Sequence, residues 1–186
     1  VDQVKAAVAA TIEKFSKVDI LVNNAGTGAV GNAEDITDEQ FMHEMEIDLF
    51  GSFICAREFG KEMIKAKYGR IINIASMYGL VGNMIVGSAP YHAAKGGVVN
   101  MTRALAAEWG KHGITVNSIC PGYFYTDLTT ATLDSDFFQE IAKKNIPLQR
   151  YGRSGELDTC AIFLASPSST YVNGQNIAVD GGYTCV

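Results

Sequence analysis

The chain has 186 residues, 47% of them hydrophobic and 19% charged, which suffices to bury the core of one globular domain. Its 15 basic and 20 acidic residues leave a net charge of −5, and the basic ones are scattered without a run or stripe. That distribution argues against nucleic acid or an anionic membrane as partner and leaves small metabolites. Cys55, Cys120, Cys160 and Cys185 show no Cys-x-x-Cys spacing, so neither a metal site nor a redox pair is indicated and a reducing cytoplasm is the expected location. No apolar run approaches the length of a membrane span.

Residues 3–17 place Val4, Ala7, Val8, Ile12 and Phe15 at helical spacing, and "DILVNNAG" (19–26) follows as a short apolar run broken by Asn and Gly, a strand. A long amphipathic helix is predicted over 37–66, with Thr37 as N-cap and acidic residues in its first turns. The acids of 34–46, Glu34 and Asp35 among them, read as a solvated helix start. "GRIINIAS" (69–76) is the next strand, 89–111 a second long helix, and "ITVNSICPG" (114–122) a strand that stops at Pro-Gly. Helices over 134–145 and 154–166 and a last strand in 174–182 complete the order. Asn100-Met101-Thr102 is formally a glycosylation sequon but falls inside the second long helix.

Alternating strands and helices, with strands apolar on both faces, predict an α/β fold: a Rossmann-like, doubly wound parallel sheet in three layers, read as one domain over 1–186. In such sheets ligands bind beyond the carboxyl ends of the strands. Here those ends carry Asn23 to Gly26, Ser76 and Pro121-Gly122.

Tyr91 and Lys95 stand four residues apart at the start of the 89–111 helix, on one face. A phenol with an ordinary pKa of about 10 is drawn toward its phenolate by a nearby ammonium and can then exchange a proton with a hydroxyl or carbonyl oxygen. The same spacing also describes an ordinary surface pair in which the lysine stem covers the ring. The neighbouring small residues of "AAKGG" would let a flat ligand or another helix come close, and Ser76 could hydrogen-bond the reacting oxygen.

"NNAG" after a strand, Ser76 at the next strand end, "YHAAK" opening a helix, "PG" with a following threonine, and "VNGQNIAVDGG" near the end resemble the short-chain dehydrogenase/reductase family over nearly the whole chain. The resemblance implies an oxidoreductase using NAD or NADP, which the sequence does not distinguish, to interconvert a secondary alcohol and a ketone. It implies Tyr91 as proton donor or acceptor and Lys95 as the group that lowers its pKa and binds the nicotinamide ribose. Ser76 would hold the substrate oxygen. Asn24, Ala25, Gly26, Pro121, Gly122 and Thr126 would lie along the cofactor. Asp48 stands where the family usually has a catalytic asparagine; it still accepts hydrogen bonds but offers no amide N–H and adds a charge.

The substrate is expected against Ser76, Tyr91 and Tyr123, with Tyr78, Met84, Phe124 and Tyr125 in the same loops, and 127–150 resembles the family's mobile substrate lid. His92 reads as packing or surface rather than catalysis. The run "SMYGLVGN" to "PGYF" looks most like sugar, polyol or sugar-acid members such as gluconate 5-dehydrogenase and sorbose reductase. A 3-oxoacyl-[acyl-carrier-protein] reductase and a catalytically silent or truncated homologue acting as an assembly subunit are the rivals. The resemblance also suggests a homotetramer formed through the two long helices. The family's first strand and its Gly-rich turn find no counterpart in these residues, so a longer natural protein is expected.

Overall fold

The computed structural model describes residues 1–28, 30–126 and 129–186. Helix α1 (Asp2–Phe15) ends at Ser16, which takes the left-handed conformation and returns its N–H to the Ile12 carbonyl at 2.8 Å, sending the chain into β1 (Ile20–Asn23). Thr37 caps α2 (Asp38–Glu44) as predicted, and the cap is reciprocal: Gln40 N–H donates to the Thr37 hydroxyl, and Thr37 N–H to the Gln40 side chain. The predicted 37–66 helix is continuous but not uniform. A π-helical turn, Met45–Gly51, joins α2 to α3 (Ser52–Ala66).

Strand β2 (Gly69–Ile74), helix α4 (Ala89–Trp109) and strand β3 (Ile114–Pro121) follow. The short α5 (Thr130–Leu133) was not foreseen; α6 (Asp136–Asn145), α7 (Asp158–Ala165) and β4 (Asn176–Val179) were. Of the stretch read as a lid, residues 127 and 128 lie outside the described residues.

The four strands pair in parallel in the order β1-β2-β3-β4. Ile71 packs with Ala56 and Met63 of α3 and Leu105 and Ala106 of α4, whereas Ile72, next in the strand, packs with Leu164 of α7 on the other face. Both isoleucines are 1% exposed, so the central strands are covered on both sides and the three predicted layers are present. Full burial contributes roughly 1.5–3 kcal/mol for each such side chain. A polar residue at either position would therefore open one of the two helix layers.

Polar groups inside this core are paired. Asn73, fully buried, accepts from Asn23 Nδ2 at 2.8 Å and donates to Thr102 Oγ1 at 2.9 Å, tying β1, β2 and α4 together just below the strand ends. Thr102 is thus a core residue, its hydroxyl held by the Val98 carbonyl, although Asn100 of the same sequon is exposed. Among the described residues no helix is long and apolar enough to cross a membrane.

Candidate active site

The carboxyl ends of β1, β2 and β3 present the predicted residues on one side of the molecule. Past Ile74 the chain runs through Ala75 to Ser76, which is 6% exposed and caps a single 3-10 turn, Met77–Gly79, by accepting Tyr78 N–H at 3.1 Å. That turn rests directly on α4. A Cβ on Gly79 would stand 2.7 Å from the Lys95 carbonyl oxygen, so only glycine allows the contact. Ser76 is thereby brought within hydrogen-bonding reach of Tyr91.

Lys95 is 4% exposed. Its ammonium donates to the Ile74 carbonyl at 3.2 Å, lies 3.0 Å from Asp48 Oδ2, and sits 5.5 Å from the centre of the Tyr91 ring. Asp48 is fully buried in the π-helical turn, and its other oxygen accepts Thr27 N–H at 2.7 Å. The Ser52 hydroxyl occupies the Asp48 carbonyl at 2.9 Å within that turn. The small residues of "AAKGG" serve helix packing here: a Cβ on Gly97 would lie 2.7 Å from Leu49, so glycine lets the π turn close on α4 and brings Asp48 to Lys95.

Burial pushes the Tyr91 phenol above its ordinary value; a hydrogen bond with Ser76 pulls the other way, and Asp48, Glu44 and Tyr123 add to the rise. The net direction is opposite to that expected from Lys95 alone, because withdrawal of the phenol from water is the largest effect, with the Asp48 carboxylate adding to it. Glu44 is a second correction. The acids around it, Glu34, Asp35, Asp38, Glu39 and Glu46, are exposed as expected, but Glu44 is 1% exposed and accepts the Thr27 hydroxyl at 3.0 Å.

Beyond β1, Asn24, Ala25 and Gly26 form an exposed ledge, and a Cβ on Gly26 would stand 3.0 Å from Asp48 Oδ1 and 3.2 Å from Lys95 Nζ. A ledge that ends in a glycine beside an ammonium leaves room for a ribose diol and a flat ring, so these residues fit the nicotinamide end of a dinucleotide. Gly122 has a packing reason of its own, since its Cβ would meet Asp180 Cα at 2.7 Å. Thr126 is exposed and bonds to Thr129 within its own turn; among the described residues no hydrogen bond joins it to the Ser76, Tyr91 and Lys95 group.

The aromatic loops divide. Tyr78 is buried and shares a 2.8 Å hydrogen bond with the Tyr123 hydroxyl, while Tyr183, which sequence reasoning did not single out, meets the Tyr78 ring edge-on at 6.1 Å. Tyr125 packs on Tyr151, and Phe124 bridges to Gly152. Met84 is 97% exposed and lines nothing. His92 stacks on Tyr78 at 4.9 Å with Nδ1 against the Ser88 carbonyl at 2.8 Å, a packing role as read.

Residues 1–184 match the family model described as enoyl-(acyl carrier protein) reductase. Galactitol 2-dehydrogenase (L-tagatose-forming) of Cereibacter sphaeroides is 39% identical over 178 residues, which cover 96% of this chain and 70% of that protein. A 3-oxoacyl-[acyl-carrier-protein] reductase of Synechocystis sp. is also 39% identical, over 182 residues covering 97% and 71%. The crystal structure of a gluconate 5-dehydrogenase from Burkholderia cenocepacia in complex with NADP and tartrate superposes with a TM-score of 0.94 at 37% identity, over 100% of this chain and 72% of that one.

Proposed function

The chain belongs to the short-chain dehydrogenase/reductase family of NAD(P)-dependent oxidoreductases, and from that premise we propose that Ser76, Tyr91 and Lys95 carry its proton transfer on a sugar, polyol or sugar acid. The observation that supports these roles is the convergence of three groups from two elements: Ser76 beside the Tyr91 phenol, and the Lys95 ammonium 5.5 Å from the centre of the Tyr91 ring. When bound, the nicotinamide supplies or takes up the hydride. Lys95 and the Asn24 to Gly26 ledge would hold its ribose end, with Pro121, Gly122 and Thr126 further along.

In this reading the Ser76 hydroxyl orients the substrate oxygen against the Tyr91 hydroxyl. Tyr91 gives its proton to that oxygen in carbonyl reduction and receives it in alcohol oxidation. Asp48 fixes the ammonium of Lys95 so that it points at the ring rather than into solvent. Tyr123, hydrogen-bonded to Tyr78, would bound the substrate side. Hydroxyl-bearing rings suit a polyhydroxylated substrate, and relatives named for galactitol and gluconate support the class. The acyl-carrier-protein reductase in the same range of identity keeps a 3-oxoacyl substrate as the second reading.

A cytoplasmic homotetramer completes the proposal. The described cysteines are unpaired, and Met42, Met45, Leu49, Phe50, Phe53 and Met101 line an apolar groove between the 38–66 helical stretch and α4 that suits helix-to-helix association.

The test is Tyr91→Phe in the intact protein, assayed with a panel of polyols, sugar acids and ketones and both nicotinamide cofactors. Loss of general acid-base catalysis predicts a fall in turnover of about 10²–10⁴-fold with cofactor binding retained. Turnover within a few-fold of the parent removes Tyr91 from proton transfer, and activity confined to 3-oxoacyl thioesters selects the second reading.

A further inference from the structure

The loops that leave the carboxyl ends of the four strands, 24–33, 75–88, 122–133 and 180–186, contain no lysine, arginine or histidine; Asp127 and Asp180 are their charged residues, and Asp127 lies outside the described residues. The ammonium of the site, on Lys95, is 3.0 Å from Asp48 Oδ2. His92 stands behind Tyr78, with its Nδ1 spent on the Ser88 carbonyl at 2.8 Å. Farther along, Lys143 and Lys144 in the last turn of α6 and Arg150 after it are exposed, with Lys143 paired to Glu140 and Arg150 to Glu156. What these loops supply instead is phenols. Tyr78 and Tyr123 share a hydrogen bond at 2.8 Å, and Tyr183 meets the Tyr78 ring edge-on at 6.1 Å. Tyr183 is placed by Asp180, which accepts Gly182 N–H and Thr184 N–H at 2.9 Å and the Thr184 hydroxyl at 2.6 Å. Gly122, where a Cβ would stand 2.7 Å from Asp180 Cα, seats that turn beside the chain that carries Tyr123.

We propose that the substrate side of the site selects by charge: it takes a neutral polyol or its ketose and discriminates against the sugar-acid anion of the same carbon skeleton, with Tyr183 as a third phenol beside Tyr78 and Tyr123. This rests on the sugar-class reading of the proposed function and narrows it. A phenol both donates and accepts, as a substrate hydroxyl does, so the two pair without a net charge entering the site. A carboxylate only accepts. Of the two protons in the Tyr78 and Tyr123 pair one is spent between the rings, which leaves one to donate outward. The Asp180 carboxylate, in the turn that carries Tyr183, repels a second anion. Withdrawing a carboxylate from water where the described residues of these loops offer no free cation costs far more than withdrawing a hydroxyl that finds a partner.

In the intact protein, kcat and KM are measured with both nicotinamide cofactors on two matched sets: galactitol, galactonate and galactonamide, and D-glucitol, D-gluconate and D-gluconamide. Acid and amide have nearly the same shape, so their comparison isolates the charge. Each aldonate is expected to have a kcat/KM at least about tenfold below that of its amide, with the loss in KM, and the amide to lie close to the polyol. An aldonate equal to its amide, or better, overturns the inference. Tyr123→Phe and Tyr183→Phe keep the rings and remove one hydroxyl each; the polyol KM should rise about 2–10-fold in either variant with kcat nearly kept. A packing role alone would leave KM unmoved, and an unmoved KM in Tyr183→Phe overturns its assignment. Turnover of 3-oxoacyl thioesters with neither sugar set accepted sinks the sugar-class reading itself, and this inference with it.

Discussion

Asp48→Ala tests the electrostatic core of the site through stability alone. Asp48 is fully buried, its partner Lys95 is 4% exposed, and apart from Asp48 the ammonium's described hydrogen bond is to the Ile74 carbonyl at 3.2 Å. Removing one member of such a pair leaves an uncompensated buried charge and costs about 3–5 kcal/mol. Asp48→Asn differs in one respect that matters: its amide oxygen still accepts Thr27 N–H, now bonded at 2.7 Å, and a neutral dipole still faces the ammonium. Its cost should be about 1–2 kcal/mol. Against a total stability of about 5–15 kcal/mol, the alanine variant should lose about a fifth or more. With a urea dependence of about 1–3 kcal/mol/M, its unfolding midpoint should drop by about 2 M at neutral pH. Equal costs for the two variants, within about 0.5 kcal/mol, would show that the carboxylate does not hold Lys95 and that the buried-pair reasoning is wrong.

Phe50→Glu places a charge in the apolar groove, where Phe50 is already 48% exposed in the single chain. The proposed homotetramer should dissociate, read as a fall in sedimentation mass with the circular dichroism spectrum kept; an unchanged mass removes the groove from the proposed interface. Tyr151 carries a pH signature of its own: burial first, then Tyr123 and Tyr125, push its phenol up to about 12. The unfolded value is about 10, so the stability it contributes is complete below that pH and is lost as pH rises through about 12. Tyr151→Phe, which cannot ionise, should flatten the alkaline decline of the melting temperature, and an identical decline would refute the assignment.

The order of strands and helices was legible because short runs such as Ile71-Ile72 in β2 and Ile119-Cys120 in β3 put apolar residues on both faces, which a sheet covered on both sides requires. Ser76, Tyr91 and Lys95 were legible because each sits at a strand end or helix start that spacing locates within a residue or two. The π turn was not. An α-helix and a helix with one wide turn share nearly the same apolar periodicity, and the difference shows only in which side chains the turn presents, here Asp48 and Leu49 toward α4. Glu44 was hidden for a related reason. Its neighbours in sequence are exposed acids, and what allows it to be buried is a hydroxyl 17 residues away in the chain. The signal that was present, two acids four apart on a face otherwise filled by Met45 and Leu49, is a short-range pattern whose meaning depends on a long-range partner. The downward shift expected for Tyr91 is reversed for a reason that spacing does not carry: burial of the phenol, with the Asp48 carboxylate from another element adding to it.

Lys95 owes its position as much to missing side chains as to contacts. Gly79 lets the turn after β2 lie against its carbonyl, Gly97 lets the π turn approach α4, and Gly26 leaves its ammonium reachable from the exposed ledge after β1. Three glycines from three segments therefore converge on one residue, and each gap is closed to a Cβ by a few tenths of an ångström or more, with nearest approaches of 2.7, 2.7 and 3.0 Å. Such packing resists expansion, because inserted methyl groups in a filled site cost about 1–3 kcal/mol each. It also defines which cation the site accepts. An ammonium is compact and meets Asp48, the Ile74 carbonyl and the Tyr91 ring within one small space. A guanidinium, planar and wider, would crowd the Gly26 backbone, where even an added Cβ would lie 3.2 Å from the present Nζ. The choice of lysine and the placement of the glycines are thus one constraint, and a substitution at any of the four positions should be felt at Tyr91.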